Sequence, residues 1–275
     1  MSQSAPDERT SDFGVSRDEP TSTKRALAFV YFGYAFRYLQ LLILVPFYGR
    51  VLGAAEYGRI LAATSLLQMV WLFTEYSLPT VGARGIARAR DRREIAALYS
   101  SQLLGRLILT PVVLLAGLAA VALSPVLRER PIYGVLATLN GVVMAYNLGW
   151  YFQGTLRFRT SVLLEVLGFA LSLPLILLFV RGPEDGWLVL VSLLASGVVS
   201  VLTAHVLALR TLERSALRWS GGLQLLRDSA LLFAHKGLNV MMTSSSTYLI
   251  SLFATATQVG WYGAADRIVN AAMGL

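Results

Sequence analysis

The chain has 275 residues, 55% of them hydrophobic and 15% charged, with a mean hydropathy of +0.59. Soluble domains hold apolar residues to roughly 45–50%, so an ordinary globular domain is excluded and the surplus apolar surface needs lipid to cover it. Zero cysteines exclude disulfides and thiolate metal sites, and the two histidines, His205 and His235, form no ligand cluster in the sequence.

The net charge is +8, but the Lys and Arg residues sit in short tracts between long apolar segments and form no basic domain. That pattern sets membrane orientation and argues against a nucleic-acid partner. Residues 1–24 are rich in Ser, Thr, Asp, Glu and Pro and lack the layout of a secretory signal, so they are expected to be a disordered cytoplasmic tail.

A helix crosses the hydrocarbon with about 20 mainly apolar residues. Eight such stretches follow in order: 26–48, 58–79, 97–123, 132–154, 160–180, 186–208, 229–254 and 259–275. Segments such as LILTPVVLLAGLAAVAL, residues 107–123, show no polar face at helical spacing, as a soluble core helix would. With the N-terminus inside, the inner segments carry fifteen Lys and Arg residues and the outer loops five, an asymmetry that fixes a cytoplasmic N-terminus. The predicted fold is an all-α polytopic transmembrane helix bundle. Pro46, Pro111 and Pro174 lie in or near spans, as hinges or as static kinks.

Four basic residues fall inside spans: Arg37 in span 1, Arg106 in span 3, Lys236 in span 7 and Arg267 in span 8. A cation inside the bilayer costs several kcal/mol against lipid, so these are expected to face a hydrated interior. Arg37 is the deepest, eleven residues beyond Ala26. Arg106 and Lys236 could instead reach a surface along their stems, and Arg267 could simply pair with Asp266. Glu75, Glu165 and Asp266 are the acids positioned to neutralise such cations. Net positive charge within a bundle suits a phosphate or pyrophosphate head group, which guanidinium groups grip bidentately.

The stretch RVLGAAEYGRILAATSLLQMVWLFTEYSLPTVGARGIARARDRREI, residues 50–95, resembles the corresponding region of O-antigen flippases of the Wzx type and related polysaccharide exporters. WYFQGTLRFR at 150–159 and VGWYGAADRIVNAAMGL at 259–275 resemble further motifs of that family, and the likeness covers about residues 26–275. The resemblance implies the fold of the multidrug, oligosaccharidyl-lipid and polysaccharide exporter superfamily, with two six-helix lobes around a central cavity. The expected organisation is then a first lobe at 25–208, a cytoplasmic linker at 209–228, and the first two helices of a second lobe at 229–275. AAEYGRIL at 54–61 echoes VGWYGAAD at 259–266, pairing Tyr57 and Gly58 with Tyr262 and Gly263, as a parallel repeat six spans apart would. The chain stops within span 8, so the second lobe is expected to be truncated.

By resemblance, the substrate is an undecaprenyl-pyrophosphate-linked oligosaccharide, carried across the bacterial inner membrane through a cavity lined by Arg37, Arg106, Lys236 and Arg267. The implied partners are that substrate, membrane lipids, and a polysaccharide polymerase with its glycosyltransferases; no cofactor or metal is implied. Competing readings are a drug or lipid II exporter of the same superfamily, or a membrane glycosyltransferase or ligase. An exporter of cationic drugs calls for an acid-lined cavity, whereas bases outnumber acids in these spans; an enzyme calls for catalytic carboxylates or a large loop, and every loop is short.

Overall fold

The computed structural model describes residues 43–213 and 220–273. The tail at 1–24, Arg37 and most of span 1 lie outside the described residues, as do residues 214–219 of the expected linker. Among the described residues there is no strand. Residues 43–51 are helical, and eleven complete α-helices follow: α1 Gly53–Glu75, α2 Leu78–Arg88, α3 Arg92–Leu123, α4 Pro125–Glu129, α5 Pro131–Ala145, α6 Gly149–Gly154, α7 Phe158–Phe179, α8 Gly186–Leu209, α9 Gly222–Ser244, α10 Ser246–Ser251 and α11 Ala256–Met273.

Among the described residues, four helical segments are long and apolar enough to cross a membrane, namely α3, the α5–α6 pair, α7, and α8 with the 3-10 turn before it. The protein is therefore an all-α polytopic bundle. Its lipid-facing shell is visible on α3, α7 and α8, where Val112, Leu115, Leu178 and Leu202 are 58–69% exposed. Aliphatic side chains in that state are unfavourable in water and at home in hydrocarbon. The other expected spans with described residues also form helices, α1, α9 and α11, and these carry Glu75, Lys236, Asp266 and Arg267.

Helix ends follow local chemistry. At the start of α3 the Asp91 carboxylate accepts the Glu94 N–H at 2.8 Å, and the Glu94 carboxylate accepts the Arg90 N–H at 2.8 Å. This is a close variant of the capping box, and it extends the helix five residues upstream of the expected span. Span 2 was expected to run unbroken to 79, but α1 stops at Glu75 and α2 restarts at Leu78. Pro79 has no N–H to give the Glu75 carbonyl, so it cannot continue α1, and it suits the first turn of a new helix. Span 4 also breaks, at Tyr146–Leu148, where the Asn147 side-chain oxygen accepts the Gly149 N–H at 2.7 Å and holds a turn. Span 7 begins earlier than expected, at Gly222, after Gly221 with its φ of +83°, and divides into α9 and α10 at Ser245. Pro111 and Pro174 sit inside the unbroken helices α3 and α7.

Two apolar clusters organise the bundle. One gathers Leu66, Val70, Tyr133, Ile176 and Leu190 from α1, α5, α7 and α8; the other gathers Ile86, Tyr99, Trp150, Phe152, Leu164 and Ala208 around α6. α9 lies on α3, and α11 lies along α1. That last seam joins the two echoing sequence segments. A Cβ on Gly58 would collide with the Ala256 carbonyl, and one on Gly260 would collide with the Ala54 carbonyl, so the backbones themselves touch.

Candidate functional site

The elbow between α1 and α2 places the interior charges. Tyr76 and Ser77 both have left-handed backbone, with φ of 51° and 57°. Each such residue costs roughly 1–2 kcal/mol when it is not glycine, and such strain concentrates at functional positions. The elbow turns the Tyr76 ring onto Phe233 of α9, stacked at 4.2 Å between centroids and 20° from parallel. It also sets Leu78 at the start of α2, where its carbonyl accepts the side-chain amide of wholly buried Gln102 at 2.7 Å.

One turn along α3 from Gln102 lies Arg106, the largest wholly buried side chain among the described residues. Its Nε donates to the Ala145 carbonyl at 2.7 Å, and its Nη1 donates to the carbonyl and the side-chain oxygen of Gln102 at 3.1 and 2.9 Å. The guanidinium carbon is 6.0 Å from the centroid of the Trp150 ring, within reach of a cation–π attraction. Ala145 is the last residue of α5, whose final carbonyls have no partner within the helix. Arg106 thus caps a helix end inside the membrane, where a cation is also favoured by the helix dipole. Its Nη2 has no hydrogen-bond partner among the described residues.

Glu75, the last residue of α1, is half-buried, and the positive fields of Arg106 and Lys236 both reach it. Lys236 of α9 is exposed, and its ammonium donates to the Thr80 hydroxyl of α2 at 3.0 Å. The structure therefore brings together Arg106, Glu75 and Lys236, three of the residues singled out from sequence. Arg267 occupies a separate station. It lies on the α1–α11 seam, 5.9 Å from the centroid of the Tyr57 ring and 3.4 Å from the Thr64 hydroxyl. Thr64 and Glu75 are separated by roughly 16 Å along α1 at 1.5 Å per residue. Asp266 is half-buried beside it in the chain, and Glu165 is exposed on α7.

Two polar groupings are absent from the sequence reading. Glu56 of α1 is only 6% exposed and anchors a network with Arg59 at 2.5 Å and Arg130 at 3.5 Å. Arg59 extends it to Glu129 at 2.6 Å, Arg130 extends it to Glu184 at 3.2 Å, and the Tyr133 hydroxyl donates to Glu56 at 2.6 Å. The hydrogen bond that Arg130 donates to Glu184, with the nearby charge of Glu56, holds the guanidinium above its ordinary pKa. The one signal in the sequence is the i, i+3 spacing of Glu56 and Arg59. The second grouping is His205 with Tyr99 and the Tyr146 carbonyl, at 2.7 and 3.2 Å; its partners are 106 and 59 residues away, and no local pattern announces them. Among the described residues, no three His, Cys, Asp or Glu side chains are grouped to hold a metal ion.

Comparison with known proteins gives two relatives. The protein named "Putative O-antigen transporter" in Shigella dysenteriae is 23% identical over 257 residues, covering 92% of this chain and 64% of its own length. The protein of the same name in Escherichia coli K12 is 23% identical over 252 residues, covering 86% of this chain and 58% of its own length. The chain thus spans about three fifths of the curated relatives it matches. No solved structure matches it. A family model described as polysaccharide biosynthesis protein matches residues 23–275, and with that match over nearly the whole length the chain belongs to the polysaccharide biosynthesis protein family.

Proposed function

We propose that this protein is a transporter, not an enzyme, and that it flips lipid-linked oligosaccharide or polysaccharide repeat units of the undecaprenyl-pyrophosphate type across the bacterial inner membrane. Alternating access through a cationic cavity between two lobes would carry the sugars while the lipid tail stays in the bilayer. Family membership and the O-antigen transporter names of the two relatives support the substrate class.

The observation that carries the proposal is the group of Arg106, Glu75 and Lys236 at the elbow of α1 and α2. Two cations against one acid leave a net positive charge there, and Lys236 stands exposed beside it. By the loop-charge orientation, this group lies in the cytoplasmic third of the membrane, next to the leaflet where lipid-linked sugars are made. Arg267 forms the next cationic station outward along α1, with Asp266 adjacent, and Arg37 is assigned to the same path. Glu75 balances the inner station and keeps the head group from binding irreversibly; Glu165 is assigned a similar balancing role.

The test is deletion of the full-length gene followed by measurement of lipid-linked sugar on each face of the inner membrane. Accumulation on the cytoplasmic face, reversed by the wild-type gene and not by Lys236→Ala, is expected. An unchanged distribution after deletion would defeat the proposal.

A further inference from the structure

The break between α5 and α6 leaves two carbonyls inside the membrane without helical partners, and two side chains from other helices occupy them. Arg106 of α3 takes the Ala145 carbonyl, and His205 of α8 takes the Tyr146 carbonyl. A carbonyl oxygen only accepts, so the His205 Nε2 must carry a hydrogen. In a neutral ring Nδ1 is then an acceptor, and the Tyr99 hydroxyl at 2.7 Å must donate to it. Both ring nitrogens are engaged, and the tautomer is fixed by geometry alone.

The same geometry accepts one more proton with little movement. Protonation turns Nδ1 into a donor, and Tyr99 answers by rotating its O–H so that its oxygen accepts. The Nε2 bond to Tyr146 stays and is strengthened by charge. The groups around the ring are few. α3 supplies Tyr99 and the charge of Arg106, while α6 supplies Tyr151, whose ring meets Tyr99 edge-on at 6.3 Å and whose hydroxyl pairs with Thr211. The Tyr146 phenol is committed to Thr110 at 2.9 Å. α7, packed along α8, carries Arg159, half-buried, and Glu165, exposed.

We propose that His205 is a proton-binding site, taking one proton as the pH falls below neutral, and that its charge is linked to anion binding at the group of Arg106, Glu75 and Lys236. The imidazolium and the guanidinium share one helix end and repel each other, while an anionic head group held at exposed Lys236 beside them offsets that repulsion. Proton uptake and anion binding therefore promote each other, and by linkage each effect equals the other. The consequence for transport rests on the proposed function; the titration itself does not.

The chain has two histidines, so His235→Gln leaves a single imidazole to observe by nitrogen NMR in the full chain. At pH 8 the expected signal is the Nε2–H neutral form, converting to the imidazolium as pH falls to 5. A signal that stays neutral throughout, or that starts as the Nδ1–H form, overturns the proposal. Tyr99→Phe should move the midpoint by about half a pH unit or more, and an unmoved midpoint overturns the role given to Tyr99. The linkage is read in proteoliposomes with a fluorescent polyprenyl-pyrophosphate-linked oligosaccharide. The wild-type transfer rate should change with the NMR midpoint, and His205→Gln, which keeps a donor for Tyr146 and an acceptor for Tyr99, should give a flat profile. A pH-dependent His205→Gln profile overturns the linkage. Absence of transfer by the wild type at every pH defeats the transport reading, and the NMR titration then decides on His205 by itself.

Discussion

The two described cations at the elbow differ in how they are held, and so in what their loss should cost the fold. Arg106 donates to three buried protein acceptors, among them the Ala145 carbonyl at the end of α5, so Arg106→Leu strands that carbonyl in a buried interior. An unsatisfied buried acceptor costs about 1–3 kcal/mol, and a lower thermal midpoint in detergent is expected. Lys236→Ala removes one exposed hydrogen bond to Thr80 and should change stability by about 0.5 kcal/mol or less, while lowering substrate transfer. Equal loss of stability in both variants would remove the distinction. The sequence made both residues conspicuous, because a cation in an apolar run is rare. It did not show what Arg106 holds, since the Ala145 carbonyl is free only because span 4 breaks, and 132–154 reads as one uninterrupted apolar stretch. Glu56 stayed hidden for a related reason. Beside Arg59 it reads as a solvated loop pair, and its burial comes from Tyr133 and Arg130, far along the chain.

At the scale of helices, apolar length located the four segments that are long and apolar enough to cross a membrane, and the other expected stretches with described residues are helical too. Breaks were harder to see. The α1–α2 elbow and the α5–α6 break depend on single residues, Pro79 and Asn147, whose effect apolar periodicity does not register. The α1–α11 seam was half legible: the echo between 54–61 and 259–266 was visible in sequence, but not that the two segments touch. Gly58→Leu should force the backbones apart and cost about 1–3 kcal/mol, read as a fall in the thermal midpoint. Gly182→Ala, where an added Cβ meets nothing within 4 Å, is the control and should be nearly neutral.

For the molecule as a whole, orientation and function are linked. The proposed placement of the Arg106, Glu75 and Lys236 group beside the cytoplasmic leaflet rests on loop charge, and the chain's lack of cysteine makes it directly measurable. Arg90→Cys, in the turn between α2 and α3, should react with a membrane-impermeant thiol reagent only after the membrane is opened. Gly182→Cys, in the turn before α8, should react in intact spheroplasts. The reverse pattern would turn the bundle over and move the inner cationic station to the other leaflet.

The break in α5–α6 also bears on how the protein is made. Its two stranded carbonyls are filled by side chains that leave the ribosome at different times: Arg106 is already present when Ala145 emerges, but His205 follows Tyr146 by 59 residues. At about 5–20 residues per second, that gap lasts roughly 3–12 s. For those seconds the nascent segment carries an open hydrogen-bond acceptor that oil cannot satisfy, so it must wait in a wet vestibule of the insertion machinery until α8 arrives.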